Sequence, residues 1–126
     1  MIFSKITGTG SYIPTIKKEN GNFIDTHFLH PDGSDFSNGN QVIIEKFKMI
    51  TGIEERRYAA AHFNTSDLGF FAATKAIEDA KIDAESLDYI IVAHNFGDVK
   101  SGAIQSDILP SLATRVKHLL RINNPN

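Results

Sequence analysis

The stretch 65–93 reads TSDLGFFAATKAIEDAKIDAESLDYIIVA, and it decides the fold because a helical repeat is followed, after a short turn, by a strand-like run. The helix is predicted to begin at Thr65 or Ser66, either of which can cap it, and to end near residue 80. Asp67 then lies near the positive end of the helix dipole. An apolar stripe contains small residues that allow a neighbour to approach closely; its members are Phe70, Ala73, Ile77 and Ala80, widened by Leu68, Ala72 and Ala76.

The end of this stretch, residues 87–93, predicts a central strand. Its sequence LDYIIVA is nearly continuous in apolar side chains, which is typical of a parallel strand covered on both faces. A first strand is predicted at 2–6, followed by Gly8 and Gly10, whose backbone freedom would let the chain leave the sheet. We expect the two strands to be neighbours in one mixed sheet with helices packed against it. The predicted fold class is therefore α/β.

A helix is predicted at about 41–50, capped by Asn40 and ended by Gly52 in a left-handed conformation. Its apolar face would consist of Ile43, Phe47 and Ile50. The segment 17–40 has no sustained helical or strand period, and it predicts a surface loop with aromatic anchors, namely Phe23, Phe28 and Phe36.

A third helix is predicted from Pro110, in the first turn, to about Leu120. Its inner face would be formed by Leu112, Val116 and Leu119 or Leu120. The chain ends at Asn126 without a strand to receive the crossover that this helix begins, and we find no internal repeat.

Composition excludes several classes of function. The chain of 126 residues has a net charge of −2, which gives no general attraction to nucleic acid or to an anionic membrane. Its N-terminal sequence MIFSKITGTG is neither a signal peptide nor a membrane span, so we expect a cytoplasmic protein. The absence of cysteine excludes disulfides, thiolate metal sites and a cysteine nucleophile within these residues. We expect no bound cofactor.

Three local patterns have both a functional and a structural interpretation. The pattern at 8–10, Gly-Thr-Gly, lacks the third glycine and the helix of a dinucleotide loop, so a simple turn is preferred. His94 and Asp98 provide too few ligands for a metal, although their loop lies where α/β sheets form ligand crevices. The run 54–57 is either a solvated loop with local ion pairs or a phosphate site in which Arg56 or Arg57 contacts the ligand.

Several motifs occur in one order along the chain. The sequence GTGSYIP at 8–14 is followed by ITGIEERR at 50–57, TSDL at 65–68 and LDYIIVA at 87–93. Leu109, Pro110 and Ser111, followed by Ala113 and Val116, complete the series. Together they resemble the N-terminal part of the 3-oxoacyl-(acyl carrier protein) synthase III family, which are thiolase-like condensing enzymes. The resemblance covers most of the chain apart from residues 17–40.

The resemblance implies a reaction in which a cysteine takes an acyl group from an acyl-CoA primer and condenses it with malonyl-acyl carrier protein. A His and an Asn would stabilise the enolate formed by decarboxylation. In the family the cysteine follows the strand after the third helix, so we expect this chain to be an N-terminal fragment that is inactive alone. The alternative is a self-contained α/β binding domain without catalysis. A downstream reading frame with a strand and then a cysteine within about two dozen residues would favour the enzyme.

The resemblance also suggests substrate-binding residues and a homodimer. Lys46 and Ile50 stand in a CoA-contacting region where many family members carry Trp and Arg, and Arg56 belongs to the Thr-Gly-Ile motif. Leu109 aligns with a position, often aromatic, that reaches across the dimer interface and helps to close the partner's acyl pocket. Simple packing at the helix start is the structural alternative for Leu109.

Overall fold

A computed structural model gives the structure of residues 3–125. The chain forms two compact units. One contains Pro14–Ala59, and the other joins the N-terminal segment up to Ile13 to the residues from Ala60 onward. Within the part of the chain that the structure describes, every helix is too short or too polar to span a bilayer.

The unit 14–59 contains the sheet. Strand β1 (Ile16–Glu19) pairs antiparallel with β2 (Glu55–Tyr58), and a 3-10 helix (Asn20–Phe23) follows β1 directly. Part of the predicted loop 17–40 is therefore a strand and a 3-10 helix, and that prediction was wrong for residues 17–23. The charged sequence of β1, IKKE, has no alternating apolar pattern that would predict a strand.

Helix α1 (Asn40–Thr51) lies close to its predicted position and ends at Gly52, whose φ of 66° confirms the predicted left-handed residue. The cap is Gly39, and Asn40 is the first helical residue. The side-chain amide of Asn40 donates instead to the carbonyl oxygens of Ile24 and Thr26, at 2.5 and 2.9 Å. These two hydrogen bonds tie the preceding loop to α1.

The core of this unit contains the buried Ile43 and Ile44. Beside them, the ring of Phe28 meets that of Phe47 edge to face, with 5.5 Å between centroids. The predicted aromatic anchoring of the loop is thus confirmed at Phe28. Ile50 does not join the core, since it lies in the last turn of α1 and is 81% exposed.

The other unit is built on helix α2 (Thr65–Ala80). Its cap is Asn64, one residue before the two predicted ones, and the backbone N–H of Asn64 donates to Asp67 Oδ2 at 2.7 Å. Asp67 therefore lies in the first turn, as predicted. A 3-10 helix (Ala84–Ser86) follows α2.

Helix α3 (Leu112–Leu119) packs against α2 and supplies most of the buried apolar residues of this unit. It begins after Ser111, whose Oγ accepts from the backbone N–H of Thr114 at 3.2 Å, so Pro110 precedes the helix and does not belong to its first turn. The predicted inner face is confirmed at Leu112 and Val116, which are buried together with Ile122.

The N-terminal segment lies against α2. Tyr12 packs on Phe71 and on Phe63, with ring centroids 4.8 and 6.5 Å apart. Gly8 and Gly10 approach the α2 backbone directly, and neither has a positive φ. The predicted close approach to the small residues of α2 is therefore present, whereas the predicted left-handed freedom of the two glycines is not used.

The predicted central sheet is absent from the described residues. Neither residues 3–6 nor residues 87–93 form a strand, and residue 2 of the first predicted strand lies outside the described residues. The only sheet within 3–125 is the antiparallel pair β1–β2, not a mixed sheet. A segment forms a strand only when its backbone makes hydrogen bonds to a neighbouring strand. The two segments instead line a common cleft of about 270 Å³ beside α2, to which they contribute Thr7, Gly8, Tyr89 and Ile90.

Candidate functional site

A buried carboxylate lies at the N-terminal end of α2. Asp98 is only 2% exposed, and its Oδ1 and Oδ2 accept from the backbone N–H and the hydroxyl of Ser66 at 2.8 and 2.7 Å. Arg115 Nη1, on α3, also donates to Asp98 Oδ2, at 3.2 Å. Since a buried charge is stable only when it is paired and hydrogen-bonded, these contacts account for its burial.

This arrangement replaces the metal hypothesis. The carboxylate of Asp98 is occupied by Ser66 and Arg115, and His94 Nδ1 accepts from the backbone N–H of Gly97 at 2.9 Å. Among residues 3–125 there is no group of three or more His, Cys, Asp or Glu that could hold a metal ion. Both candidate ligands therefore have structural roles in their loop.

The structure also disfavours a dinucleotide loop at 8–10. The backbone N–H of Thr9 donates to Asp79 Oδ2, near the C-terminal end of α2, at 2.9 Å. A phosphate-binding loop instead points its amides at a ligand from a helix N-terminus. The glycines allow close packing on α2, which neither the dinucleotide interpretation nor the simple turn predicts.

In the sequence, Leu109 lies between Asp98, which carries the buried carboxylate, and α3. Its side chain is 81% exposed. Its backbone carbonyl accepts from Arg115 Nη2 at 2.8 Å. The next residue, Pro110, lines a cleft of about 460 Å³ between the first turn of α2 and α3, together with residues that include Ser66, Asp98 and Arg115.

Lys46 and Ile50 lie one turn apart on α1, so they share a face of that helix. Both side chains are exposed. The structure thus brings together two of the predicted binding residues, one cationic and one apolar.

Arg56 has other neighbours. Its Nη1 donates to Asn20 Oδ1 at 2.6 Å, and its guanidinium lies 5.6 Å from the centroid of the Phe23 ring. Asn20 in turn donates from Nδ2 to the carbonyl of Ile53 at 2.7 Å. The guanidinium is therefore oriented by the 3-10 helix that follows β1.

The charged side chains around β2 form the local ion pairs that the structural interpretation of the charge run predicts, but residues 55–57 belong to a strand and not to the predicted loop. Lys17 pairs with Glu55 at 2.6 Å and Lys48 with Glu54 at 2.7 Å. A hydrogen bond from Lys17 lowers the pKa of Glu55 below its ordinary value, and a hydrogen bond from Lys48 does the same for Glu54. These carboxylates are exposed, so the pairs contribute little stability.

A cleft of about 390 Å³ opens among these groups, and its lining includes Lys17, Lys48, Glu54 and Glu55. Its mixed charge gives no preference for an anionic ligand, and none of Lys46, Ile50 and Arg56 lines it. The phosphate hypothesis therefore depends on Arg56 and Lys46 themselves.

Sequence reasoning missed Arg115 and did not identify the structural role of Asp98. Residues 66, 98 and 115 are distant in sequence, and no local spacing predicts that they meet. An arginine on the polar side of α3 is an ordinary surface residue by pattern, so only the folded structure reveals the contact.

Comparison with known proteins supports the ordered motifs. Two curated relatives from Vibrio vulnificus, strains YJ016 and CMCP6, are both named beta-ketoacyl-[acyl-carrier-protein] synthase III 1. Each is 36% identical over 121 residues, which is 96% of this chain and 32% of the relative. The chain therefore spans about a third of the length of these relatives. No family model matches it.

These findings relate the chain to condensing enzymes. The resemblance to the 3-oxoacyl-(acyl carrier protein) synthase III family is confirmed, since it extends over 96% of the chain.

Proposed function

We propose that the chain is the N-terminal part of a synthase III-type acyltransferase with a thiolase-like fold. The complete enzyme would condense an acyl-CoA primer with malonyl-acyl carrier protein in fatty acid or polyketide-like biosynthesis. The observation that carries the proposal is the 36% identity to a beta-ketoacyl-[acyl-carrier-protein] synthase III across 96% of the chain. A cytoplasmic homodimer is part of the proposal.

The proposed chemistry requires residues beyond Asn126. A cysteine thiolate would attack the acyl-CoA thioester, and CoA would leave as the acyl-enzyme forms. Decarboxylation of the malonyl group would then release carbon dioxide and give an enolate, with a His and an Asn stabilising the developing negative charge. The enolate carbon would attack the acyl thioester, and the cysteine would leave as a thiolate. The 126 residues contain no cysteine, so they cannot perform the first step.

Lys46, Ile50 and Arg56 would contribute to binding of the CoA-linked primer. Lys46 provides an exposed point charge for a phosphate, and Ile50 provides an apolar surface one turn away. Arg56 is held in place by Asn20 and by the ring of Phe23. Because the lysine replaces an aromatic platform of the family, binding at this position would depend on charge more than on stacking.

Leu109 would line the acyl pocket of the partner subunit in the homodimer. Its exposed side chain, beside the neighbouring exposed Ile104 and Ile108, supports this role. A position of this kind should set the length of the primer, because a pocket of fixed depth rejects chains that overfill it.

The activity assay uses the complete protein with acyl-CoA primers of increasing length and malonyl-acyl carrier protein, and it measures release of CoA and carbon dioxide together. We expect both products in equal amounts from the complete protein and none from residues 1–126. Turnover by the purified 1–126 chain that survives repurification would contradict the proposal.

The substitution Leu109→Trp tests the pocket role in the complete enzyme. The longest accepted primer should become shorter by about two or more carbons, because a larger side chain fills part of a fixed cavity. Leu109→Met conserves the volume and is the matched control, for which the primer profile should stay the same. An unchanged profile in a stable dimeric Trp variant would exclude the pocket role.

A further inference from the structure

The guanidinium of Arg115 makes four polar contacts with residues that precede α3. Its Nε donates to the carbonyl of Pro110 at 2.9 Å, and its Nη2 donates to the carbonyl of Leu109 at 2.8 Å. Nη2 also lies 2.9 Å from Asp107 Oδ2, and Nη1 lies 3.2 Å from Asp98 Oδ2. One guanidinium thus contacts two successive carbonyl oxygens and two carboxylates.

The acceptors of Arg115 belong to one closed loop. The backbones of Asp98 and Asp107 exchange two hydrogen bonds, of 3.3 and 2.6 Å, which close the segment between them. The Asp98 side chain is buried and held by Ser66, so this end of the loop is fixed to α2. Arg115 connects the closing pair to α3 and to the backbone carbonyls of Leu109 and Pro110.

Leu109 depends on these backbone contacts for its position. Its side chain is 81% exposed, so packing does not fix it, whereas its carbonyl is held by Arg115. A guanidinium presents five donors in a rigid plane and can serve all four acceptors at once. A lysine ammonium has three donors on a flexible stem and cannot reproduce this arrangement.

We infer that Arg115 is a positioning residue that holds the loop 98–110 and thereby sets the primer length selected by Leu109. Arg115 does not touch the reacting atoms in this scheme. It acts by fixing the backbone from which the Leu109 side chain projects. The inference rests on the proposed function, because Leu109 selects a primer only in a condensing enzyme.

The first test measures hydrogen exchange in the complete protein and its Arg115→Lys variant. Within residues 99–109, the hydrogen-bonded backbone amides of Ala103 and Asp107 should exchange about tenfold faster in the variant, which corresponds to the loss of one or two charge-assisted hydrogen bonds. Amides of the middle of α2 should keep their rates. Arg121→Lys, at an exposed position shortly after α3, is the matched control and should resemble wild type. Equal exchange at 99–109 in the two variants would overturn the inference.

The second test separates positioning from a general structural effect. In Arg115→Lys, the KM for the longest accepted primer should change about tenfold relative to that for the shortest, the scale of pocket contacts. The KM for malonyl-acyl carrier protein and the kcat with the shortest primer should stay the same. Faster exchange with an unchanged primer ratio would overturn the functional part.

A second variant covers the case in which Arg115→Lys does not fold. Asp107→Asn removes the half-exposed carboxylate that pairs with Arg115 and leaves the contact between Arg115 and Asp98 in place. It should shift the exchange rates and the primer ratio in the same direction by a smaller factor, and wild-type values for both would count against the inference. If the wild-type complete protein has no condensing activity, the proposed function is refuted. The exchange rates at 99–109 would then test separately whether Arg115 holds the loop.

Discussion

At Gly8 the N-terminal segment approaches α2 so closely that a side chain has no room. A Cβ placed there would lie 2.5 Å from the Ala76 carbonyl oxygen and 2.7 Å from the Ala80 Cβ. Gly10 meets the helix backbone at Ala72 and Ala76 in the same way. The small residues of α2 and the two glycines therefore form one packing surface.

The substitution Gly8→Ala should destabilise the complete protein by about 1–3 kcal/mol, because the new methyl group overpacks a contact with backbone atoms. Gly21→Ala is the control, since nothing lies within 4 Å of a Cβ at that position. Urea unfolding of the two variants measures the difference. Equal stability of the two variants would show that the segment is not held against α2.

At the scale of elements, Glu85 ties the 3-10 helix after α2 to the segment after α3. Its Oε1 accepts from the backbone N–H of Asn123 at 2.8 Å, and its Oε2 accepts from that of Asn124 at 2.9 Å. These two hydrogen bonds, Asn123 first, lower the pKa of Glu85 below its ordinary value of 4.5. The contact is therefore strongest while Glu85 carries its charge.

The stability added by Glu85 should depend on pH. Since the folded-state pKa is lowered, the contribution is complete above the ordinary value of 4.5 and is lost as the pH falls through the lower folded-state value. Wild type should therefore be more stable than Glu85→Gln at pH 7, and the difference should shrink on acidification to about pH 3. Chemical unfolding at the two pH values measures it; a difference that stays constant would contradict the role.

The helices could be predicted from the sequence because their signals are local. The α2 stripe, the left-handed Gly52 and the buried pair Leu112 and Val116 each follow from spacing within a few residues. The strand predicted at 87–93 is absent, because a strand also needs a hydrogen-bonded neighbour that the described residues do not supply. The Asp98–Arg115 contact was beyond prediction for a related reason, since its partners meet only through the packing of α2 on α3.

At the scale of the whole molecule, several large apolar side chains are uncovered, two of them in the predicted central strand. Tyr89 and Ile91 are 84% and 92% exposed, and Ile104 is fully exposed. Apolar surface of this kind favours association. Purified residues 1–126 should therefore have a mass in solution above the 13.9 kDa of one chain, as measured by light scattering during size-exclusion chromatography. A monodisperse monomer with a cooperative thermal transition would contradict this expectation.

The central proposal is that these residues belong to a condensing enzyme whose nucleophile is a cysteine located after Asn126. Peptide mass spectrometry of the complete protein, incubated with acyl-CoA alone, tests it most directly, because the acyl-enzyme accumulates when no malonyl carrier is present. We predict one acyl group per chain, on a cysteine within about two dozen residues after Asn126. Absence of an acyl adduct, or an adduct within residues 1–126, would contradict the claim.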